Sequence, residues 1–242
     1  MTHLGDFLSR GDLDLFVAAN LLAAAAAYGV GMRMAHQRSG RRWPVRRWAC
    51  FYLAIALLAL VTLGPMGAWA HTFFWVHMTQ HLVITMSAAP LLVVGGPLSL
   101  AVAASGPATR ARIEEVLRAR WVGWVTNPVV TWLLFAGLLL GVHFSPFYDW
   151  ALENHGVMVA VEEPAFLLVA LLYYQPLIGD NPLPSRPSYG LRLVSLGLMM
   201  VPEAVVGAVI YFASVVLYQG YATPRPWGLS PMADQQLSGA LM

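Results

Sequence analysis

Residues 73–97 read Phe-Phe-Trp-Val-His-Met-Thr-Gln-His-Leu-Val-Ile-Thr-Met-Ser-Ala-Ala-Pro-Leu-Leu-Val-Val-Gly-Gly-Pro, an apolar run interrupted by two imidazoles and closed by proline and glycine. As a helix rising about 1.5 Å per residue, the run crosses roughly 30 Å of hydrocarbon. His77 and His81 are four apart, so a helix stacks them one above the other on a single face. Ionisable side chains inside a bilayer are costly and as a rule face a bundle interior, a water pocket or a bound ion. A pair sharing one face is therefore the place to look for function.

The rest of the sequence has the same membrane character. Of 242 residues, 58% are hydrophobic and 11% charged, the balance of an integral membrane protein. Six apolar stretches are long enough to span, at about 14–35, 48–69, 73–96, 127–147, 156–178 and 191–217. A seventh is expected to begin at 233 and to be cut short at Met242, so the chain reads as a fragment. The expected fold class is all-α: a single polytopic transmembrane helical bundle over 1–242, with six complete spans and the start of a seventh.

All fourteen basic residues are arginine, and they fall almost entirely on one side. Arg33, Arg38, Arg41, Arg42, Arg46 and Arg47 flank the first connection, Arg110, Arg112, Arg118 and Arg120 the third, and Arg186 and Arg192 the fifth; only Arg10 and Arg225 lie opposite. The positive-inside rule puts those connections in the cytoplasm and the N-terminus outside. Topology and contact with the lipid bilayer explain these runs better than nucleic-acid binding, so no nucleic-acid partner is expected. The first span lacks a basic leader and a small-residue cleavage site and is followed by a basic stop, which predicts a retained helix. Cys50, the single cysteine, rules out an internal disulfide or a Cys-x-x-Cys metal clip.

The connection at 104–126 contains Arg110-Ala-Arg-Ile-Glu-Glu-Val-Leu-Arg-Ala-Arg-Trp121, charges and apolar residues at helical spacing, and predicts an amphipathic helix on the cytoplasmic surface. No convincing internal repeat is visible, and Ala23 to Ala27 read as a small-residue packing surface. Pro90 and Pro97 in span three, Pro164 in span five and Pro202 in span six each remove a backbone donor and free a carbonyl. Kinks at three spans would leave room for a central cavity, although ordinary helix bending explains any one proline equally well.

With this topology five of the seven histidines fall on the outer side: His71, His77, His81, His143 and His155. His77 and His81 lie roughly 6–15 Å in from the start of their span, and Glu162 and Glu163 at a similar depth in span five. Adjacent residues project about 100° apart, so only one of these two carboxylates can point straight at a shared pocket. Glu203, after Pro202, lies near mid-membrane as a further ligand or part of a polar path. Asp234 follows Ser230-Pro231, where helix capping explains much of the pattern, but with Gln235 and Gln236 it could also line the mouth of the site. Imidazoles with carboxylates suit copper, zinc, iron or nickel, and thioethers such as Met78 or Met158 favour copper(I). The alternative for His77 and His81 is hydrogen bonding across the bundle as neutral structural groups. His143, His155 and His71 sit near the interface, where a histidine costs little; His3 and His36 read as solvated.

At these residues the chain resembles the CtaG family of membrane proteins associated with assembly of caa-type cytochrome c oxidase. The resemblance runs from about 65 to the end. It rests on His77-x-x-Gln80-His81 with Ala89-Pro90-Leu-Leu and Gly95-x-Pro97, on His143 before Ser145-Pro146-Phe147-Tyr148, on Phe166-Leu167 with Tyr173-Tyr174, and on Asp234-Gln235-Gln236-Leu237-x-Gly239. It implies a seven-helix protein of the plasma (inner) membrane that matures the oxidase, with copper handling the favoured mechanism and oxidase subunits as partners. Two positions depart from the family pattern: Glu163 and Glu203 stand where the family often carries histidine, harder ligands that favour copper(II), another divalent ion or a proton-linked role. The expectation is an assembly factor, not an enzyme, with His77 and His81 as primary copper ligands, Glu163, His143 and Glu203 completing or tuning the set, and Glu162, Asp234 and His155 as further candidates. Two other classes stay open: a haem-binding membrane oxidoreductase subunit, and a proton or ion transporter using Glu162, Glu163 and Glu203.

Overall fold

The first helix starts where a carboxylate can cap it. Asp14 accepts from the backbone N–H groups of Phe16 and Val17 at 2.8 and 3.1 Å, and Gly40 ends the helix in the left-handed conformation at φ 68°. The computed structural model of the protein describes residues 14–148, 150, 154, 158–180, 187–223 and 227–242. Its helices are α1 (Leu15–Ser39), α2 (Val45–Thr62), α3 (Pro65–Ala70), α4 (Phe74–Ala104), α5 (Pro107–Leu117), α6 (Arg120–Val125), α7 (Pro128–His143), α8 (Glu163–Ile178), α9 (Tyr189–Phe212) and α10 (Pro231–Leu241). Among the described residues there is no strand.

The all-helical, multi-pass membrane architecture agrees with the sequence reading; the span boundaries differ from it at several points. Among the described residues, five segments are long and apolar enough to cross a membrane: Leu15–Ser39, Val45–Thr62, Phe74–Ala104, Ala160–Ile178 and Tyr189–Phe212. The stretch expected at 127–147 forms only the 16 residues of α7, about 24 Å of helix and short of a full hydrocarbon crossing. Span two stops at Thr62 and restarts at Pro65 because Gly64 and Pro65 break the hydrogen-bond ladder. Span three runs on through Gly96 (φ 65°) to Ala104. Span six ends at Phe212 rather than 217, and the single amphipathic helix expected within 104–126 is two helices, α5 and α6. Helix α10 begins at Pro231, with Ser230 capping it.

Two apolar clusters meet on α4 and make it the central element. One joins α1, α2 and α4 through Tyr28, Phe51, Leu58, Ile84, Leu92 and Leu100. The other joins α4, α7, α8 and α9 through Phe74, Met78, Phe135, Phe166, Tyr173 and Val206. Helix α1, by contrast, buries only Tyr28 and Ala35. At the arginine-rich end Arg47 and Ser99 both donate to Asp180, tying α2, α4 and the end of α8 together. Inside α9, Pro202 has no N–H for the carbonyl of Leu198; the Trp132 indole of α7 donates there instead, at 3.0 Å. Helices α9 and α10 touch backbone to backbone: a Cβ on Gly239 would lie 2.6 Å from the Gly207 oxygen and from the Tyr211 nitrogen.

Candidate metal centre

The start of α4 is held by another helix. Asp234 on α10, fully buried, accepts from the backbone N–H groups of Phe74 and Trp75 at 2.8 and 2.9 Å. It is an N-cap supplied from 160 residues away, and it occupies two of the four donors a helix start leaves open. Ser238 in turn donates to the Asp234 carbonyl at 2.7 Å. One turn beyond this anchor the face carrying His77, Gln80 and His81 turns into the bundle.

His77 is fully buried and His81 is 8% exposed. Their Nε2 atoms face each other at 2.7 Å. Glu162 closes the group from the neighbouring helix, its Oε1 3.4 Å from His81 Nε2 and 3.7 Å from His77 Nε2. One ligand atom from each of the three lies within 4.8 Å of the other two. Both Glu162 oxygens and the Nδ1 atoms of His77 and His81 are buried without a hydrogen-bond partner. Each orphan of that kind costs about 1–3 kcal/mol. Two imidazole lone pairs and a carboxylate converging on one point repel each other unless a proton or a cation sits among them.

Local backbone geometry explains how two helices deliver these groups together. Each ligand-bearing segment contains a π turn just ahead of a proline: Val83–Ala88 before Pro90, and Met158–Glu162 before Pro164. A proline cannot bond the carbonyl four residues back, and a widened turn accommodates the mismatch; such turns recur at functional sites. At the junction of this turn with α8 the two adjacent carboxylates face different ways, as neighbours on a helix do. Glu162 meets the histidines. Glu163 accepts a 2.6 Å hydrogen bond from Gln80 Nε2 and lines a separate cleft of about 370 Å³ with Phe16, Asn20 and Leu58.

The carboxylate at the histidine pair is thus Glu162, a further candidate in the sequence reading, while Glu163, expected to complete or tune the set, is bonded to Gln80. His143, buried in α7, lies outside the three-residue group; its Nδ1 is bonded to the Leu139 carbonyl at 2.9 Å, leaving Nε2 without a partner. Glu203 shares with His81 and His143 a small cavity. Asp234 lies outside the three-residue group, and both of its oxygens accept at the start of α4. Gln235 is not at the mouth either; it holds the 213–217 segment through Leu217 N and the Ile210 and Val215 carbonyls, and Gln236 is exposed. His155 lies outside the described residues.

Sequence reasoning assigned no role to an aromatic wall around the site. Tyr148 stacks on His143 at 5.4 Å between centroids and meets His77 edge-on at 5.6 Å, while Phe166 meets His81 edge-on at 4.5 Å. Tyr218 and Tyr221 pack on Phe74, and the Tyr218 hydroxyl donates to the His143 carbonyl at 3.1 Å. Their signal in the sequence was the aromatic clustering just past spans four and six. These rings exclude water and lower the local dielectric, which strengthens attraction between opposite charges at the three ligands and penalises a charge left unpaired there.

The model of the family described as cytochrome c oxidase caa3 assembly factor matches residues 26–242. An uncharacterized protein of Mycobacterium leprae is 28% identical over 246 residues, a match that covers 97% of this chain and 37% of the relative. Uncharacterized proteins of Mycobacterium bovis and Mycobacterium tuberculosis are each 30% identical over 239 residues, covering 94% of this chain and 36% of theirs. The chain spans just over a third of the length of these relatives. No solved structure matches it.

Proposed function

This chain belongs to the cytochrome c oxidase caa3 assembly factor family, and on that premise we propose that it is a membrane assembly factor, not an enzyme, which takes up a copper ion as cargo at His77, His81 and Glu162 and passes it to an oxidase subunit on the extracytoplasmic side of the plasma membrane. One observation carries the reading: two imidazole nitrogens and a carboxylate, all buried, converge within 4.8 Å inside an apolar bundle. Two nitrogens and one oxygen suit a first-row transition metal. The anionic carboxylate offsets the charge that the ion brings into a low-dielectric interior.

The arginine-rich end supports the orientation, because Arg33, Arg38, Arg41, Arg42, Arg46 and Arg47 cluster around one connection and arginine is retained on the cytoplasmic side. His77 is near the opposite end of α4, in the half of the bundle that faces outward in this topology. Asp234 fixes where the helix starts, and hence the depth of both histidines. Gln80 holds Glu163 away from the ligand set. The haem reading fits less well: His77 and His81 share one helix face and cannot bind one iron from opposite sides, and the cavity beside His81 has room for only about one water molecule. Glu163 and Glu203 line different cavities, which does not favour a transport path built on both.

The test is elemental analysis of the purified protein with its visible spectrum. The His77→Ala, His81→Ala double variant is expected to lose bound copper and to lower oxidase copper in cells. Normal copper content in that variant rejects the assignment, and a Soret band in the wild-type protein would replace it with haem.

A further inference from the structure

One turn farther along α4, away from Phe74, a second group of ligand-type side chains surrounds a cavity of its own. It is lined by Met78, His81, Thr85, His143, Phe166 and Glu203, among others, and holds about one water molecule. His143 and Glu203 are 4% and 5% exposed. His143 is prepared as a ligand: with Nδ1 committed to the Leu139 carbonyl, its proton sits there, and the Nε2 lone pair is buried with no partner. An imidazole whose other nitrogen donates to a backbone carbonyl is the arrangement metal-binding histidines adopt.

We infer that this cavity is a second metal position, for a soft monovalent ion of the copper(I) class, held by His143, Glu203 and Met78, with the single lone pair of His81 serving the outer triad when both positions are filled and turning to this cavity only when the triad is empty. The inference rests on the proposed copper cargo and extends it from one resting place to two. The Met78 thioether argues for a soft ion, and Glu203, a harder donor, supplies counter-charge rather than softness. Charge argues for a monovalent one, because each position has a single carboxylate, Glu162 or Glu203, to neutralise it inside the bundle. The donors around the cavity lie outside the radius that groups His77, His81 and Glu162, so occupancy draws His143 and Glu203 inward by side-chain movement. Passage between the positions is a ligand exchange at His81 with no change of oxidation state, in which the proton that Glu203 gives up on taking the ion is balanced by one that Glu162 gains on losing it.

The experiment loads the purified full chain in detergent with copper(I) alone, without oxygen, and reads stoichiometry by elemental analysis and sulfur coordination by X-ray absorption. The wild-type chain is expected to bind two equivalents. His143→Ala is expected to retain one, and the His77→Ala, Glu162→Gln double variant to retain one with sulfur still in the spectrum. Met78→Leu, which conserves volume and keeps the fold, is expected to remove the sulfur signal. One equivalent in the wild type that His143→Ala leaves intact overturns the second position and spares the triad. One equivalent abolished by either set of variants makes the two a single centre and also overturns it. No bound copper in the wild type overturns both readings. Two equivalents with no sulfur signal, or with a sulfur signal that Met78→Leu leaves in place, overturn the assignment of Met78 as a ligand and with it the soft-ion site.

Discussion

Replacing Asp234 by alanine removes the cap of α4 without touching a histidine. Two donors, Phe74 N and Trp75 N, lose acceptors at 2.8 and 2.9 Å, and the space around Asp234 is closed to water. A lost cap costs about 0.5–2 kcal/mol, and leaving a buried donor unsatisfied costs about 1–3 kcal/mol for each group. Because Trp75 is only partly buried, a total of about 2–4 kcal/mol is expected, or about 4–16 °C in the unfolding midpoint for a chain of this size. Asp234→Asn keeps one acceptor and turns an amide N–H₂ toward a donor, so it should fall between alanine and wild type. Thermal unfolding in detergent reads both. The control is Asp180→Ala at the other end, where Arg47 and Asp180 are 29% and 41% exposed and a pair of that kind contributes at most about 1 kcal/mol. The fraying should also weaken copper binding, since His77 is one turn from the lost cap. Equal midpoints for Asp234→Ala and wild type would refute the claim that this carboxylate starts α4.

Three further outcomes follow from the same geometry. Glu162→Gln should weaken copper binding about 10–100-fold, while Glu163→Gln, which faces Gln80 and the cleft, should change it by no more than about 3-fold; titration with a competing chelator separates them. Trp132→Phe leaves the Leu198 carbonyl bare in hydrocarbon and should cost about 1–3 kcal/mol, and Pro202→Ala in the same chain should restore most of that by supplying the missing N–H; absence of rescue in thermal unfolding would count against the account of the α9 proline. Gly239→Leu should detach α10 from α9 and destabilise by about 1–3 kcal/mol or more, whereas Gly137→Ala, which meets nothing within 4 Å, should be neutral.

The membrane character, the helical class and the stacking of His77 and His81 on one helix face were legible because hydropathy and helical spacing are local properties of the sequence. What was not legible depends on helix ends and rotations. Nothing in Glu162-Glu163 says which carboxylate points inward; that is set by the π turn at Met158–Glu162, a backbone irregularity that proline permits and no residue type encodes. Asp234 looked like an ordinary first-turn acid, and its part at the start of α4 comes from a contact between helices distant in sequence. The length of α7 was overread because Phe144 and Phe147 carry apolar character past His143, where the helix stops. Tyr148 entered the sequence reading only within a family motif and Tyr218 and Tyr221 not at all, since a wall around a site exists only after the bundle closes.

The cap on α4 also imposes an order on biosynthesis. Asp234 is translated 160 residues after Phe74, so a ribosome-bound chain that has threaded only its early helices carries both histidines on a segment whose first turn is still unanchored. The depth of the histidine pair in the bundle is then fixed only once α10 has been made and Asp234 has met Phe74 and Trp75.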